Sequence, residues 1–303
     1  MRNKIVIAGG TGALGKSLTD IFSENEVIVL SRYQKPDKGN VKYVQWDAKS
    51  LGSWTEALEG STAVINLVGK SVNCRYTTHN KEEIISSRVD ATNIIGKAIQ
   101  RLKRPPEVWI NAGSAAIFGN SSDVIKDENG SLGEGFSAGV CKLWEKSFNE
   151  VHTPQTRKVF LRIGMVLQRD GGVLKPFLNM AKFGLGGRIG SGQQYITWIH
   201  DLDFKELVNW VIKEKDVSGV LHVSSPFPVT NQEFMESLRK SIKMPIGLPN
   251  PALFIKIGAA LIGTEAELVL SGRRVVSTVL NHKGYTFKYP ELSMALNELL
   301  GEN

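Results

Sequence analysis

Apolar runs of strand length alternate with helical patterns through the first half of the chain. Residues 4–8 form an apolar run that ends in a cluster of glycines, and the pattern then becomes helical at Leu14, Leu18 and Ile21. A second helical pattern covers residues 80–102. Further runs of strand length lie at residues 26–32, 41–47, 61–69, 107–112 and 157–164. Strands that alternate with helices predict an α/β fold, a Rossmann-type doubly wound parallel sheet.

The second half departs from this rhythm. Residues 165–192 are rich in glycine, which predicts a segment that covers a pocket, and from residue 230 the pattern is mainly helical with Asn231 as the expected cap. Residues 251–263 are the most apolar late stretch, interrupted only by Lys256, and are predicted to form a buried helix. We therefore expect a smaller, mainly helical C-terminal lobe.

The predicted domain boundaries follow from these patterns. The nucleotide-binding domain comprises residues 1–165 and takes in roughly 195–225, and the substrate lobe comprises residues 166–194 and 226–303.

The glycine cluster after the first strand has the spacing of a dinucleotide-binding loop. Gly10, Gly12 and Gly15 fit the dehydrogenase fingerprint, and Gly9, Gly12 and Gly15 fit its short-chain variant. Glycines allow the tight turn and the close approach of the backbone to a pyrophosphate, and the start of the following helix binds anions. The predicted contacts of this loop are Gly9, Gly10, Thr11, Gly12, Ala13, Leu14 and Gly15.

Two later strand ends add cofactor contacts. Ser31 and Arg32 end the second strand, where an arginine accommodates the 2′-phosphate of NADP and an acid would grip the ribose of NAD. A solvated surface arginine is the alternative, but the match of guanidinium to phosphate favours NADP(H). Asp47 is placed to meet the adenine. The backbone of Leu67, Val68 and Gly69 is expected to pass close to the cofactor.

Composition narrows the class of protein. The 303 residues are 42% hydrophobic and 22% charged, as in ordinary globular proteins. No apolar window is long enough for a membrane span or a signal peptide, and Cys74 and Cys141 show neither a disulfide framework nor metal-ligand spacing. The charge of +7 is scattered and suits an anionic cofactor. We predict a cytoplasmic protein with a small-molecule substrate and no metal, nucleic-acid or membrane partner.

Motifs along nearly the whole chain resemble the extended short-chain dehydrogenase/reductases. The similarity is greatest to their atypical epimerase-family group, which has its own C-terminal domain. The motifs lie at residues 9–15, 31–32, 65–69, 74–76, 87–89, 114–119, 140–145, 184–187, 198–200, 228–231 and 270–273. By analogy with this group, two helices, residues 84–102 and 140–148, are candidates to pair the chain into a homodimer.

The resemblance implies a serine and a tyrosine–lysine pair as the catalytic groups. Ser114 matches the serine and Lys142 matches the lysine, which in the superfamily holds the nicotinamide ribose. Ala138 stands at the position of the tyrosine, and Phe118 stands where many members carry a second tyrosine. The family's usual acid/base step is therefore not carried over to this chain.

Several residues are candidates for the missing proton donor. Tyr195 and His200 match a stretch that lines the substrate pocket in relatives, and Tyr76, Glu134 and Cys141 are further candidates. Lys142 is expected to lower the pKa of Cys141 if the two share the pocket; a small buried hydrophobe is the alternative reading of Cys141. Arg75 and Arg88 could meet an anionic substrate or act at the surface.

The resemblance implies an NADP(H)-dependent oxidoreductase or epimerase that acts on a small polar metabolite, with a nucleotide-linked sugar as one candidate. The alternative is an NADP(H)-binding sensor or regulatory protein that has lost the chemistry.

Overall fold

The computed structural model describes residues 3–169 and 171–301, without the side chains of residues 122 and 123. The first half contains, in chain order, β1 (Lys4–Ala8), α1 (Ala13–Ile21), β2 (Glu26–Ser31), β3 (Val41–Gln45), β4 (Ala63–Asn66), α2 (Thr78–Ile99), β5 (Val108–Ser114), β6 (Ser121–Lys126) and α3 (Phe136–Glu150). Short 3₁₀ helices cover Ser53–Leu58 and Ala115–Phe118.

The second half continues with shorter elements. They are β7 (Arg157–Ile163), β8 (Met165–Leu167), α4 (Leu174–Lys182), β9 (Tyr195–Ile196), β10 (Trp198–His200), α5 (Asp201–Lys213), β11 (Gly219–Val223), β12 (Val229–Thr230), α6 (Asn231–Ser241), α7 (Ala252–Ile262), α8 (Glu267–Leu270), β13 (Arg273–Val275), α9 (Thr278–His282) and α10 (Leu292–Leu300).

Seven strands form one parallel sheet in the order β11-β7-β5-β4-β1-β2-β3. The predicted doubly wound α/β fold is therefore confirmed. The order reverses between β1 and β4, and ligands bind at the carboxyl ends of the strands at such a switch point. Ala8 on β1 aligns with Asn66 on β4, so the loops after these two strands begin side by side, and Asn66 aligns with Asn111 on β5, which continues to Ser114.

The central strands are almost continuously apolar because helices cover both faces of the sheet. The residues of β1, β2, β4 and β5 are buried with few exceptions. Among these mostly apolar strands, β4 and β5 contain a pair of buried asparagines. Asn66 Nδ2 donates to Asn111 Oδ1 at 2.7 Å. The Asn66 carboxamide oxygen in turn accepts from the Val68 backbone N–H at 3.1 Å, which sets the path of the chain after β4.

A second hydrophobic core lies under the C-terminal segments. Phe177 on α4 packs edge-on against Phe234 on α6 with ring centroids 5.3 Å apart, and Trp198 and Leu296 are fully buried in the same cluster. This core is tied to the first part of the chain by β13, which pairs with β6. The wall of any pocket between the two cores is thus built from residues far apart in sequence.

The glycine-rich segment at 165–192 contains β8 and the nine-residue helix α4, and residues from it line the cavity described below. Two other local predictions were wrong. Thr230, not Asn231, caps α6, through a capping box in which Glu233 N donates to Thr230 Oγ1. Asn231 is instead buried, and its side-chain oxygen accepts from Ile189 N at 2.8 Å.

The second of these wrong predictions concerns α7. This helix was expected to be buried, but Ala259 is its only buried residue. Its leucine and phenylalanine side chains are exposed, with Leu261 82% accessible. Within the described ranges, no helix has the length and apolar character needed to cross a bilayer.

Candidate active site

The loop after β1 has the geometry that a bound pyrophosphate needs. Gly9 adopts φ +82°, and a Cβ there would lie 2.9 Å from the carbonyl carbon of Leu67. A Cβ on Gly15 would lie only 2.4 Å from the Cα of Gly10. Side chains at these two positions would fill the cradle or force it apart, so the loop must be glycine there.

The start of α1 is open to an anion. The helix follows Gly12, and no side chain accepts a hydrogen bond from its first N–H groups. These groups and the helix dipole together form an anion site. The residues that were predicted to hold a dinucleotide therefore fit that ligand on geometry.

Ser31 and Arg32 lie at the carboxyl end of β2, as predicted. Ser31 is buried and its hydroxyl accepts from the Tyr33 N–H at 3.3 Å, whereas the side chain of Arg32 is exposed. Asp47 lies beyond β3, but its carboxylate accepts from the N–H groups of Lys49 and Ser50 and from the Ser50 hydroxyl. Hydrogen bonds from Ser50 and then Lys49 lower the pKa of Asp47 to about 2. Its carboxylate is thus largely committed to this turn.

The loop after β4 lies against the nucleotide-binding loop. Leu67 N donates to Ala8 O at 2.9 Å, and both Leu67 and Val68 are half-buried. Gly69 has a further reason to be glycine, because a Cβ there would lie 2.9 Å from the guanidinium carbon of Arg88. The close approach at Gly69 that the structure shows is to an arginine.

A cavity of about 520 Å³ extends from the start of α1 to the end of β5. Ala13 and Leu14 line it at one end, and Ser114 lines it where β5 ends. The Ser114 hydroxyl accepts from the Ala116 N–H at 3.1 Å, which holds the side chain in one orientation. Ala13 and Leu14, from the predicted cofactor-binding segment, and the predicted catalytic Ser114 therefore line the same cavity.

Helix α3 presents a different face to this cavity than predicted. Ser137, Val140, Cys141 and Trp144 line it. Lys142 is exposed and lines a separate surface hollow with Glu145 and Lys146, and Ala138 is buried but does not line the cavity. Adjacent helical residues point about 100° apart. Ser137 and Cys141, each one residue before Ala138 and Lys142, therefore face the cavity in their place. This placement does not fit the predicted role of Lys142.

Two guanidinium groups accompany Cys141 in the cavity. Arg88 lies over the ring of Trp144, 5.1 Å from its centroid, and its Nη1 donates to the carbonyls of Lys70 and Ile84. Arg273, from β13, also lines the cavity. Burial raises the pKa of Cys141 to about 11, and these arginines oppose that shift. Cys141 is therefore a neutral thiol at pH 7, which corrects the expectation that Lys142 activates it.

The C-terminal segment completes the wall. The Ser137 hydroxyl donates to Glu267 Oε1 at 2.8 Å, and Glu267 lines the cavity. Tyr195 lines it as predicted, with the Arg274 guanidinium 4.8 Å from its ring centroid. Ser137, Glu267 and Arg273 were not predicted to be site residues. Arg273 lies in a motif that carried the family resemblance, which was the one available signal for it.

His200 lies outside the cavity and has a structural role. Its Nδ1 accepts from Leu202 N at 3.0 Å and so caps α5, while Nε2 lies 2.9 Å from Glu298. An Nδ1 that accepts leaves the ring proton on Nε2, where it donates to the carboxylate. Both nitrogens are engaged, so the prediction that His200 transfers a proton does not fit the structure.

The remaining candidates divide between the cavity and its surroundings. Glu134 lines the cavity. Tyr76 packs edge-on against Phe136, and its hydroxyl is buried without a hydrogen-bond partner among the described residues. Arg75 is exposed and donates to the carbonyl of Ala260, while Phe118 packs against His222 at 5.3 Å. No group of three or more His, Cys, Asp or Glu in the described ranges is arranged to hold a metal ion.

Comparison with known proteins places this site in a family. Residues 5–138 match the NAD dependent epimerase/dehydratase family, and residues 251–299 match a domain of unknown function, DUF1731. The chain is 30% identical over 302 residues to the epimerase family protein YfhF of Bacillus subtilis, covering 98% of both chains. It is 31% identical over 294 residues to the epimerase family protein ML0860 of Mycobacterium leprae, covering 97% of this chain and 94% of that protein.

A solved structure extends the comparison to the whole fold. The human epimerase family protein SDR39U1, crystallised with NADPH, superimposes with a TM-score of 0.87 at 29% identity, covering 98% of this chain and 99% of that one. The relationship to the epimerase-family group with its own C-terminal domain, expected from the motifs, is confirmed.

Proposed function

Since this chain belongs to the NAD dependent epimerase/dehydratase family, we propose that it is an NADP(H)-binding oxidoreductase or epimerase that acts on a small polar metabolite. One observation carries the proposal: Ala13 and Leu14, which begin α1 directly after the loop shaped for a pyrophosphate, line the same cavity as Ser114. The similar human protein binds NADPH in its crystal, in agreement with the cofactor expected from Arg32.

The residues of this chain have separate tasks in the proposed reaction. The N–H groups at the start of α1 hold the pyrophosphate, and the exposed guanidinium of Arg32 binds the 2′-phosphate. The nicotinamide, when bound, supplies the hydride chemistry. The Ser114 oxygen accepts a hydrogen bond from Ala116 N. Its hydroxyl hydrogen can therefore donate to the substrate oxygen and polarise the carbon–oxygen bond at which hydride is transferred.

The substrate that fits best carries a negative group. Arg88 and Arg273 bring two positive charges to the cavity, against the carboxylates of Glu134 and Glu267. Glu267 already accepts a hydrogen bond from Ser137. Burial lowers the pKa of Arg273, with Cys141 and Glu267 opposing the shift, so a carboxylate or phosphate of a substrate in the cavity offsets the cost of burying this guanidinium. A nucleotide-linked sugar remains one candidate.

A second function has one observation in its favour. Ala138 stands at the position of the family's tyrosine, and Lys142 lines a separate surface hollow, so neither a tyrosine nor a lysine of α3 lines the cavity. A protein that kept NADP(H) binding but lost proton transfer would act as a sensor or regulator. We propose for either function a cytoplasmic protein, a nucleotide-binding domain at residues 1–165 and roughly 195–225, a substrate lobe from the remainder, and a homodimer through α2 and α3.

Titration with NADPH and with NADH tests the binding step. Tryptophan quenching is measured for the wild type, for Arg32→Ala and for Arg101→Ala, a control that removes an exposed arginine beyond the end of α2. We expect Arg32→Ala to weaken NADPH by about tenfold or more, close to 1.4 kcal/mol, and to leave NADH and the control nearly unchanged. Equal NADPH affinity in wild type and Arg32→Ala would exclude Arg32 as the 2′-phosphate site.

Ser114→Ala separates the enzyme from the sensor. An enzyme transfers label from isotope-labelled NADPH to a member of a panel of anionic carbonyl compounds, or from nucleotide sugars labelled at the carbinol carbons to NADP⁺. The variant stops that transfer while retaining NADPH affinity. Label transfer that survives Ser114→Ala would show that another group polarises the substrate. NADPH binding with no label transfer to any member of the panel would favour the sensor.

A further inference from the structure

Helix α7 is an apolar helix that packs against the rest of the protein along one side only, where Ile255 contacts the second hydrophobic core. Its eleven residues contain one charged side chain, Lys256, and only Ala259 is buried. A helix that is apolar on all sides normally lies inside a protein or a membrane. The exposed large side chains of α7 are Leu253, Phe254, Ile257, Leu261 and Ile262.

Two loops extend the same apolar surface. Phe183 is 83% accessible, and Leu185, Ile246 and Leu248 are also exposed. The loops are joined by the hydrogen bond from Leu248 N to Gly184 O at 2.8 Å, and the second loop leads through Asn250 directly into α7. These nine side chains, on α7 and the two loops, are called the apolar patch below.

The charged residues within the two segments that carry the apolar patch are all cationic, while Glu236 and Glu265 lie directly outside the second segment. Residues 171–200 contain Lys175, Lys182 and Arg188, and residues 237–264 contain Arg239, Lys240, Lys243 and Lys256. Neither segment contains an aspartate or a glutamate. Of these cations, Lys240 forms an exposed ion pair with Glu236, and Arg239 donates to the carbonyl of Gly186. Lys182 directly precedes Phe183, and Lys256 lies between Leu253 and Ile257.

We propose that the apolar patch docks this protein on the surface of a bilayer that contains anionic lipid. Apolar side chains flanked by lysine enter the boundary between headgroups and acyl chains, and each nearby cation strengthens the attraction to an anionic surface. An eleven-residue helix is too short to span a bilayer, which takes about 20 residues. The helix therefore lies on the surface of the bilayer. This differs from the expectation of no membrane partner, which rested on the lack of a membrane-spanning segment.

A second copy of this chain is the less suitable occupant. A two-fold contact places the same patch on both sides of the interface, so the cations of one copy would face those of the other. Like charges across an interface disfavour the contact. An anionic membrane supplies the opposite charge and needs no complementary shape.

The apolar patch also adjoins the wall of the cavity. Beyond α7, Glu265 accepts from Tyr76 N at 2.7 Å, and Glu267 accepts from the Ser137 hydroxyl. Arg75 donates to the carbonyl of Ala260 on α7 itself. Docking thus places the cavity close to the membrane surface, although the docking proposal does not depend on the reaction performed there.

Co-sedimentation with vesicles tests the proposal. The full chain is mixed with vesicles of phosphatidylcholine alone or of equal parts phosphatidylcholine and phosphatidylglycerol. We expect binding to the anionic vesicles, weakened by added salt and at least about tenfold weaker to the neutral ones. Phe254→Ser with Leu261→Ser should lower the partition coefficient about tenfold or more, and Lys256→Glu should also lower it.

Leu143→Ser is the matched control, because Leu143 is 47% accessible on α3, outside the apolar patch. NADPH titration of each variant checks that it is folded. Equal sedimentation of wild type and the Phe254/Leu261 variant would overturn the proposal, as would the absence of any binding to anionic vesicles. A dimer that the double variant alone disrupts, with no vesicle binding, would identify a second copy as the occupant instead.

Discussion

Arg162 on β7 and Glu145 on α3 form a two-point ion pair inside the protein. Arg162 Nε lies 2.9 Å from Glu145 Oε2 and Nη2 lies 2.9 Å from Oε1, with side chains only 5% and 13% accessible. Glu145 lies one helical turn after Cys141 on the same face of α3, so the pair fixes this face of the helix against the sheet. The orientation of the cavity-facing residues of α3 thus rests in part on this contact.

Replacing Glu145 by glutamine should destabilise the fold. The variant leaves a buried guanidinium without its counter-charge, and we expect the free energy of unfolding to fall by about 3 kcal/mol. Urea unfolding followed by tryptophan fluorescence measures it. Glu150→Gln removes an exposed pair with Lys146 on the same helix and should change the free energy by less than about 0.5 kcal/mol. Similar losses in both variants would contradict the role given to the buried pair.

Gly15→Ala should damage nucleotide binding. Its Cβ would lie 2.5 Å from the Gly9 carbonyl oxygen, so the loop must open. We expect the Kd for NADPH to rise about tenfold or more, measured by quenching. Gly139→Ala is the control, because no heavy atom lies within 4 Å of its added Cβ on α3. The control should keep NADPH affinity and gain up to about 1 kcal/mol of stability. NADPH affinity that is unchanged in Gly15→Ala would argue against a tight cradle.

Lys142→Ala should leave NADPH affinity within about twofold of wild type. Lys142 is exposed and lines the surface hollow that Lys146 also lines, not the cavity. Lys146→Ala removes the same charge from the same hollow and serves as the comparison. A tenfold loss confined to Lys142→Ala would show that α3 turns when the cofactor binds and brings this lysine to the ribose, as the motif implied.

Stability should decline as the pH falls from about 7 to 5.5. Burial lowers the pKa of His200 and of His222, with Glu298 and Glu128 opposing the shifts. The unfolded chain then binds more protons than the folded one below about pH 6.5, so the free energy of unfolding falls by up to about 1.4 kcal/mol per pH unit for each histidine.

His200→Asn keeps a side chain that can cap α5 and should flatten this pH profile. His79→Asn alters an exposed histidine and should leave the profile unchanged. Unfolding by urea at a series of pH values gives the slopes. A wild-type free energy of unfolding that stays level or rises toward pH 5.5 would contradict the effect of burial.

The sheet was predictable because its strands are short apolar runs that end in turn residues. β1 at 4–8 lies where the pattern placed it, and β7 differs by one residue. Such strands are buried on both faces, so local composition alone reveals them. The glycine loop was predictable for the same reason, since its function depends on consecutive backbone positions.

The face of α3 was not predictable from its motif. The spacing of four between Ala138 and Lys142 is equally met by Ser137 and Cys141, and a shift of one residue turns the helix face by about 100°. Only the packing of Trp144 and Phe148 against the sheet decides which pair faces the cavity. Glu267 and Arg273 were not predicted as site residues for another reason: their position at the cavity depends on the pairing of β13 with β6, which are far apart in the sequence.

Because β13 lies far from the phosphate loop in the sequence, opposite walls of the cavity are synthesised at different times. The phosphate loop leaves the ribosome before Glu267 and Arg273, which follow some 250 residues later. Domains generally fold in the order of synthesis. A growing chain can therefore acquire a nucleotide site well before the opposite wall of the cavity exists, so any bound nucleotide is exposed to solvent until the last segments dock.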